Sequence, residues 1–315
     1  MQLYSAKYLR IPLGFLFILF ALGSMAQEKE RYVWPVKLQK DYNKSYPVSN
    51  ETLALLNRYG QMKLETWDKN EIQVEAHITV GAQTNEYATQ VLDRISIADE
   101  KTTDRIEFKT KLGSWSDNGS NGGHEMRIDY TVHLPANAKL YAENNFGSIT
   151  IGDFKGEAEL LCKYGTLTAG KLSNSKSVTV EFGSAVIESV RDTKLLFKYS
   201  KVEIGKLAGN IDAEFQFCNS IDMPIDNALK QLQLKNNYTS LYLLAPKDFS
   251  ADYDITTNNA RASGKNELVI KEEKAVDSRP TIYNANHRYT GSIGKGGDTK
   301  ITIKSNFGNI RVIPG

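Results

Sequence analysis

Apolar and polar residues alternate along most of this chain, and from residue 146 the alternation is itself periodic. One phrase recurs: an aromatic, usually a glycine, a small polar residue, then an apolar-x-apolar strand. It reads Tyr59-Gly-Gln-Met-Lys-Leu64, Phe146-Gly-Ser-Ile-Thr-Ile151, Tyr164-Gly-Thr-Leu-Thr-Ala169, Phe182-Gly-Ser-Ala-Val-Ile187 and Tyr199-Ser-Lys-Val-Glu-Ile204. It continues as a looser Phe217-Cys-Asn-Ser-Ile-Asp-Met223, then Tyr238-Thr-Ser-Leu-Tyr-Leu243 and Phe307-Gly-Asn-Ile-Arg-Val312. The central copies start 18, 18 and 17 residues apart. Between them a second apolar residue recurs at Phe154, Leu172, Val190, Leu207 and Ile225. A third set precedes each aromatic: Leu160 and Cys162, Val178 and Val180, Leu195 and Phe197, Ile211 and Ala213.

A repeat this short has too little apolar surface to bury alone and must stack on its neighbours. The fold predicted is therefore all-β: a parallel β-helix, or solenoid, of ~18-residue coils over residues 136–315, with equivalent strands about 4.8 Å apart and each apolar set forming an interior column. The aromatics share parity with the apolar positions two residues earlier, so their rings are expected inside, beside a glycine that turns the corner with positive φ. An exposed aromatic platform for sugars or bases is the alternative. Charges at Lys163, Glu181, Lys198, Glu214 and Lys235 alternate in sign coil by coil, which reads as register control. Ser148, Thr166, Ser184, Ser220 and Ser240, with Thr150 and Thr168, form a hydroxyl face that reads as ordinary solvated strand.

Residues 27–135 lack the period. Alternation predicts strands at 51–58, 62–67, 72–80, 94–98, 105–111 and 126–134, one short helix over 85–93, a hairpin connection at 99–104 and a long loop at 113–123. This region is expected to be an antiparallel β-rich cap covering the open end of the solenoid. Past Tyr242 the repeat loosens: 252–262 reads as one strand, 276–280 as a break and 300–313 as a closing strand.

Lys7 and Arg10 precede an apolar run from Ile11 to Leu22 and then Gly23-Ser24-Met25-Ala26, the pattern of a secretory signal peptide spanning 1–26, with Gln27 the first mature residue. No cysteine stands there to carry a lipid, and no later apolar stretch reads as a membrane span. The whole chain carries +2; the leader holds two basic residues and no acidic ones, so the mature chain is neutral. That balance removes the phosphate-neutralising term on which nucleic-acid affinity depends. Cys162 and Cys218 fall three coil spacings apart, about 14 Å, beyond the roughly 7 Å a disulfide spans, so two free thiols are expected.

Catalytic and metal-binding signals are sparse. His77, His124, His133 and His287 have no partner at metal-ligand spacing, with His77 and His133 placed in strands and His124 in the loop. Asp153, Lys171, Glu203 and Asp222 share no column that would pair carboxylates. The run Gly291-Ser-Ile-Gly-Lys-Gly-Gly-Asp298 lacks the ending of a phosphate loop and reads as a turn. No catalytic, cofactor-binding or metal residue is assigned, and no cofactor.

With Lys139-Leu-Tyr-Ala-Glu143, the Asn-Asn-Phe-Gly-Ser-Ile-Thr-Ile phrase and the terminal Asn306-Phe-Gly-Asn-Ile-Arg-Val312, residues 50–315 resemble the bacterial putative-adhesin family of exported β-helical envelope proteins. The resemblance implies architecture and no assigned reaction. It points to a non-catalytic binding or scaffolding module, periplasmic or at the cell surface, whose partner is an envelope protein or polysaccharide. A polysaccharide-acting β-helical enzyme and a component of envelope-stress signalling are the alternatives.

Overall fold

The computed structural model describes residues 33–114, 123–264, 271–272 and 286–315. The expected leader, most of the 113–123 loop and the 276–280 break lie outside the described residues. The described residues are all-β with one helix, and their sheet is mixed.

Two families of strands run through the repeats, each paired in parallel and in register. The first passes from Thr52–Arg58 to Lys139–Asn145, Ala158–Lys163, Ser175–Glu181 and onward through the C-terminal parts of Ser184–Lys198, Leu207–Gln216 and Ser220–Asn237. The second begins with Met62–Trp67, Ile149–Ile151, Thr166–Leu172 and the start of Ser184–Lys198. Phe154, Leu172, Val190, Leu207 and Ile225 pair in one unbroken column, each at most 4 % exposed. Period-2 alternation in sequence thus becomes alternation of buried and solvated positions, as along Ala158–Lys163.

Antiparallel strands finish both ends. Val36–Pro47, a strand the alternation did not reveal, pairs with Glu71–Ala82, which pairs with His124–Pro135, itself parallel to Met62–Trp67. Ile95–Lys101 and Arg105–Leu112 form a hairpin whose second strand lies parallel to Thr52–Arg58. At the other end Asn286–Ile293 runs antiparallel to Ala251–Asn258. Stacking order there departs from chain order. Lys300–Asn306 inserts between Ser220–Asn237 and Ala251–Asn258, and Ile310–Pro314 between Ser240–Ala245 and Ala262–Gly264. The single strands expected over 252–262 and 300–313 are each two, broken at corners. The helix, Asn85–Asp93, is capped by Thr84, whose Oγ1 accepts from the Tyr87 N–H at 3.2 Å, and buries Tyr87, Ala88 and Val91.

Two columns differ from the sequence expectation by two residues. Glu214 lies beside Leu196 and Lys235, whereas the neighbour of Lys198 is Gln216. Ile211 and Ala213 sit beside Thr193 and Leu195, leaving Phe215 to continue the row of Cys162, Val180 and Phe197. The central charge triplet is as expected: the Glu181 carboxylate lies 3.2 Å from the Lys163 ammonium and 3.6 Å from that of Lys198.

The corners after the first strand family set the distance between repeats. A Cβ added to Gly165 would lie 1.9 Å from the Gly147 carbonyl oxygen, and one on Gly183 would lie 2.0 Å from that of Gly165. Gly165→Ala is therefore expected to cost about 3 kcal/mol in urea unfolding, whereas Gly152→Ala, with nothing within 4 Å of its new methyl, should stay within about 0.5 kcal/mol of the parent. Glu181→Lys puts three ammonium groups in one row and should lower stability by about 1–2 kcal/mol, an effect that shrinks in high salt.

Candidate functional site

At each corner the aromatic residue, not the glycine beside it, takes the left-handed backbone. Tyr59, Phe146, Tyr164, Phe182, Tyr199, Phe217, Tyr238 and Phe307 have φ between 50° and 64°. Each of their N–H groups donates to the carbonyl of the residue before the next corner, as Tyr164 does to Glu181 at 3.0 Å and Tyr199 to Gln216 at 2.9 Å. Left-handed backbone is uncommon for bulky side chains and costs of order 1 kcal/mol or more at each residue. Eight in one row is a strained feature held by the neighbours above and below.

The left-handed turn throws the ring outward, so the inward placement expected from strand parity is corrected: parity holds only along continuous extended backbone. Phe146, Tyr164, Phe182, Tyr199, Phe217, Tyr238 and Phe307 are 45–51 % exposed. Their rings form a single external stack with centroids 4.7–5.2 Å apart and planes within 9° of parallel. Tyrosine and phenylalanine alternate strictly along the whole stack. Faces of the internal rings are covered by their neighbours, so the surface offers ring edges and, at every second ring, a phenol hydroxyl. Behind the corners, inside the fold, amide and hydroxyl side chains donate to corner carbonyls, some of which also accept a backbone amide. The Asn144 Nδ2 donates to the Gly60 and Ser148 oxygens at 2.8 Å, and the Ser200 hydroxyl to Lys198 O at 2.7 Å.

Polar neutral residues border the stack. Asn145, Gln216, Asn237 and Asn306 stand immediately before four of the aromatics, and Ser148, Thr166, Ser184 and Ser240 stand two residues after Phe146, Tyr164, Phe182 and Tyr238, whereas Arg58 before Tyr59 and Lys201 after Tyr199 are charged. Of the expected hydroxyl face, Thr166 and Ser184 touch at 2.9 Å and Ser220 pairs with Ser240. Lys201 follows Ser184 and Val186 follows Thr168, so no continuous row forms. A shallow depression of about 540 Å³ lies between Val186, Glu188, Lys201, Glu203 and Asp222. A second, polar one of about 480 Å³ is lined by Asn174, Lys176, Asp192, Lys194, Asp212 and Gln233.

The titratable residues considered from sequence are scattered. His77 pairs with Asp41 at 2.6 Å, and His133 contacts Glu65 at 3.0 Å while stacking on Trp67. His124 opens the strand His124–Pro135, where a loop was expected, and its Nδ1 lies 3.1 Å from the Tyr87 hydroxyl. His287 lies in Asn286–Ile293, the strand that also holds Gly291; the expected turn is confined to the residues that follow, with positive φ at Gly294, Gly296 and Gly297. Lys171 reaches Asp153 and Glu188, and Glu203 pairs with Lys201, while Asp222 stands beside Tyr242 and borders the same depression as Glu188 and Glu203. Among the described residues no group of three or more His, Cys, Asp or Glu side chains converges on a metal-sized site, and no helix is long and apolar enough to cross a membrane. Cys162 and Cys218 are buried and unpaired; burial pushes the Cys162 thiol up to about 11.

No protein-family model matches this chain, and no curated protein does. Solved structures named as putative adhesins match it. One from Bacteroides fragilis covers 87 % of this chain and 97 % of its own at 9 % identity, with a TM-score of 0.37. A putative cell adhesion protein from Clostridium sporogenes covers 88 % and 100 % at 12 % identity and a TM-score of 0.23. A putative lipid binding protein from Parabacteroides distasonis covers 86 % and 96 % at 10 % identity and a TM-score of 0.31. These names are consistent with the putative-adhesin resemblance carried by the sequence. At such scores and identities they assign no role, and the functional reading rests on this chain's own surface.

Phe182→Asn keeps a residue that tolerates left-handed backbone while removing stacking at 5.1 Å on one side and 5.0 Å on the other. Two lost ring contacts at about 0.5–1.5 kcal/mol each, partly offset by relieved strain, predict a net loss near 1 kcal/mol in urea unfolding. A gain instead would mean that the rings are kept at the expense of stability.

Proposed function

We propose that this chain is an exported, non-catalytic binding or scaffolding module of the bacterial cell envelope that presents its aromatic stack to an envelope polymer. The observation that carries the reading is the stack itself: eight rings in one row, seven of them 45–51 % exposed and Tyr59 half-buried at its end, on left-handed backbone that local conformational preference disfavours. Residues 136–315, with the strands of 52–67 beneath them, are read as a solenoid of ~18-residue coils, because the strands from Lys139–Asn145 to Leu207–Gln216 pair at an offset of 17 or 18 residues. Residues 27–135 are read as its β-rich cap, and residues 1–26 as a leader that takes the chain out of the cytoplasm.

A solenoid suits this role because its surface is one repeated corner. Every coil adds the same small contact at the same spacing, so weak contacts sum along an elongated partner and gain by multivalency. Residues at the corners do architectural work inside and present the contact outside, which leaves the reading independent of any catalytic group.

The test is retention of envelope material by the purified exported chain, beside a variant carrying Tyr164→Asn and Phe182→Asn. Saturable retention of a polymer, with no released fragments and at least several-fold weaker retention by the variant, is the expected result. Released sugar fragments would overturn the non-catalytic reading in favour of a polysaccharide-acting enzyme. Retention that the variant leaves unchanged would move the binding surface elsewhere.

A further inference from the structure

Resting on the proposed binding role, we infer that the aromatic stack takes an extended, neutral β-1,4-linked polysaccharide lying along it, one disaccharide for each tyrosine-phenylalanine pair. Three properties of the surface select this ligand class.

The first is the kind of contact on offer. Neighbouring rings cover the faces of the internal rings, with interplanar angles of 1–9°. Cations and nucleobases need faces. Ring edges carry the positive part of the aromatic quadrupole, and with the phenol O–H groups they make a line of donors suited to ether and hydroxyl oxygens.

The second is charge. Lys163, Glu181 and Lys198, the charged residues that precede central rings, are engaged with one another at 3.2 and 3.6 Å. Of the other positions at the border, Arg58 lies over the end ring, Tyr59, at 5.6 Å and Lys201 pairs with Glu203 at 2.7 Å, while the rest hold amides and hydroxyls, such as Asn145, Gln216, Ser148 and Ser184. A polyanion meets no free cationic row there, and an uncharged, hydroxyl-rich chain meets hydrogen-bonding groups on both sides.

The third is period. Tyr59, Tyr164, Tyr199 and Tyr238 recur at every second coil, so their hydroxyls repeat at two strand spacings, about 9.6 Å. An extended polypeptide repeats its side chains on one face every ~6.6 Å and falls out of step within one repeat. A β-1,4-linked pyranose chain advances by close to one strand spacing per sugar and turns over at each sugar, so equivalent groups face the protein once per disaccharide. Alternating Tyr and Phe is the pattern such a chain would read: an O–H donor under one sugar and a C–H edge under the next. The stack of eight rings accommodates about seven or eight sugars by the same spacing.

Calorimetric titration with chito- and cello-oligosaccharides of two to eight sugars tests the inference, on the parent chain and on the Tyr164→Phe, Tyr199→Phe double variant. That variant keeps every ring and every stacking contact and removes two hydroxyls from the middle of the row. Affinity should rise with length up to the full stack, and the double variant should bind the longest oligomer about tenfold more weakly at an unchanged melting temperature. Binding that is indifferent to length or to the two hydroxyls would overturn the stack as the glycan site. Saturable binding of an envelope extract without any β-1,4 oligomer binding would overturn the ligand class and leave the binding role standing; failure of both would remove both.

Discussion

Beside the strand ladders, every repeat of this protein meets the next through the same hydrogen bond at one corner. The amide of a residue in the left-handed conformation donates to the carbonyl of the residue before the next corner, at about 2.9 Å throughout. The residue after it approaches neighbouring backbone so closely that five of the eight corners keep glycine: Gly60 against Ile128, and Gly147, Gly165, Gly183 and Gly308 against the preceding corner. At Ser200, Cys218 and Thr239 a small side chain is accepted instead, turned inward, where its hydroxyl or thiol donates to a nearby carbonyl. Strand register, the columns of buried residues and the external row of rings all follow from this one repeated geometry. Each of them needs successive corners to superpose.

The inside of the same corner explains a second pattern. The column two residues before the aromatics runs from Thr110 through Asn57, Asn144, Cys162, Val180, Phe197, Phe215 and Asn236 to Ser305 and Thr257. It is apolar in the middle and polar toward both ends. Buried amides and hydroxyls there hold backbone carbonyls: Asn57 reaches the strand carbonyl Ile128 O at 2.9 Å, and Thr257 reaches Ala260 O at 2.8 Å. Central repeats can fill this position with Phe197 and Phe215, 5.6 Å apart, because a regular neighbour on each side satisfies their backbone. Near the ends, where antiparallel strands take over, that regularity lapses and buried polar groups must supply the missing partners.

Much of this was legible before any coordinates. The recurring phrase identified all eight corner aromatics, and simple spacing identified the column from Phe154 to Ile225. What failed did so for specific reasons. Parity placed the rings inside because it assumes extended backbone through Phe146 and its counterparts, and a single residue at φ near 55° inverts the side chain's direction. Charge alternation picked Glu214 and Lys235 by sign, though each lies three residues before its aromatic instead of one. Val36–Pro47 escaped because its charged residues, Lys37, Lys40, Asp41 and Lys44, blur the alternation. That is how an edge strand is kept from pairing with another chain. The insertion of Lys300–Asn306 between older strands has no local signature at all: the phrase at Phe307 looks like any other repeat.

The corner at Asn259 shows what selects the aromatics elsewhere. It is the ninth in the stack, next to Phe307 through the bond from the Phe307 amide to Asn258 O, and its φ is 50°. Here the left-handed residue is asparagine, which adopts that backbone readily. The preceding eight positions could have been filled the same way at lower conformational cost, so ring-to-ring contact, or what the rings meet outside, decides their identity. Stacking alone does not account for the order of residues. Phe197 and Phe215 stack inside the fold without a tyrosine between them, and Tyr on Tyr or Phe on Phe would cover the same faces. Strict alternation places a hydroxyl at every second edge, where it touches solvent and not the stack. On the proposed reading, the constraint that produced it is the ligand met outside, with a period of two repeats.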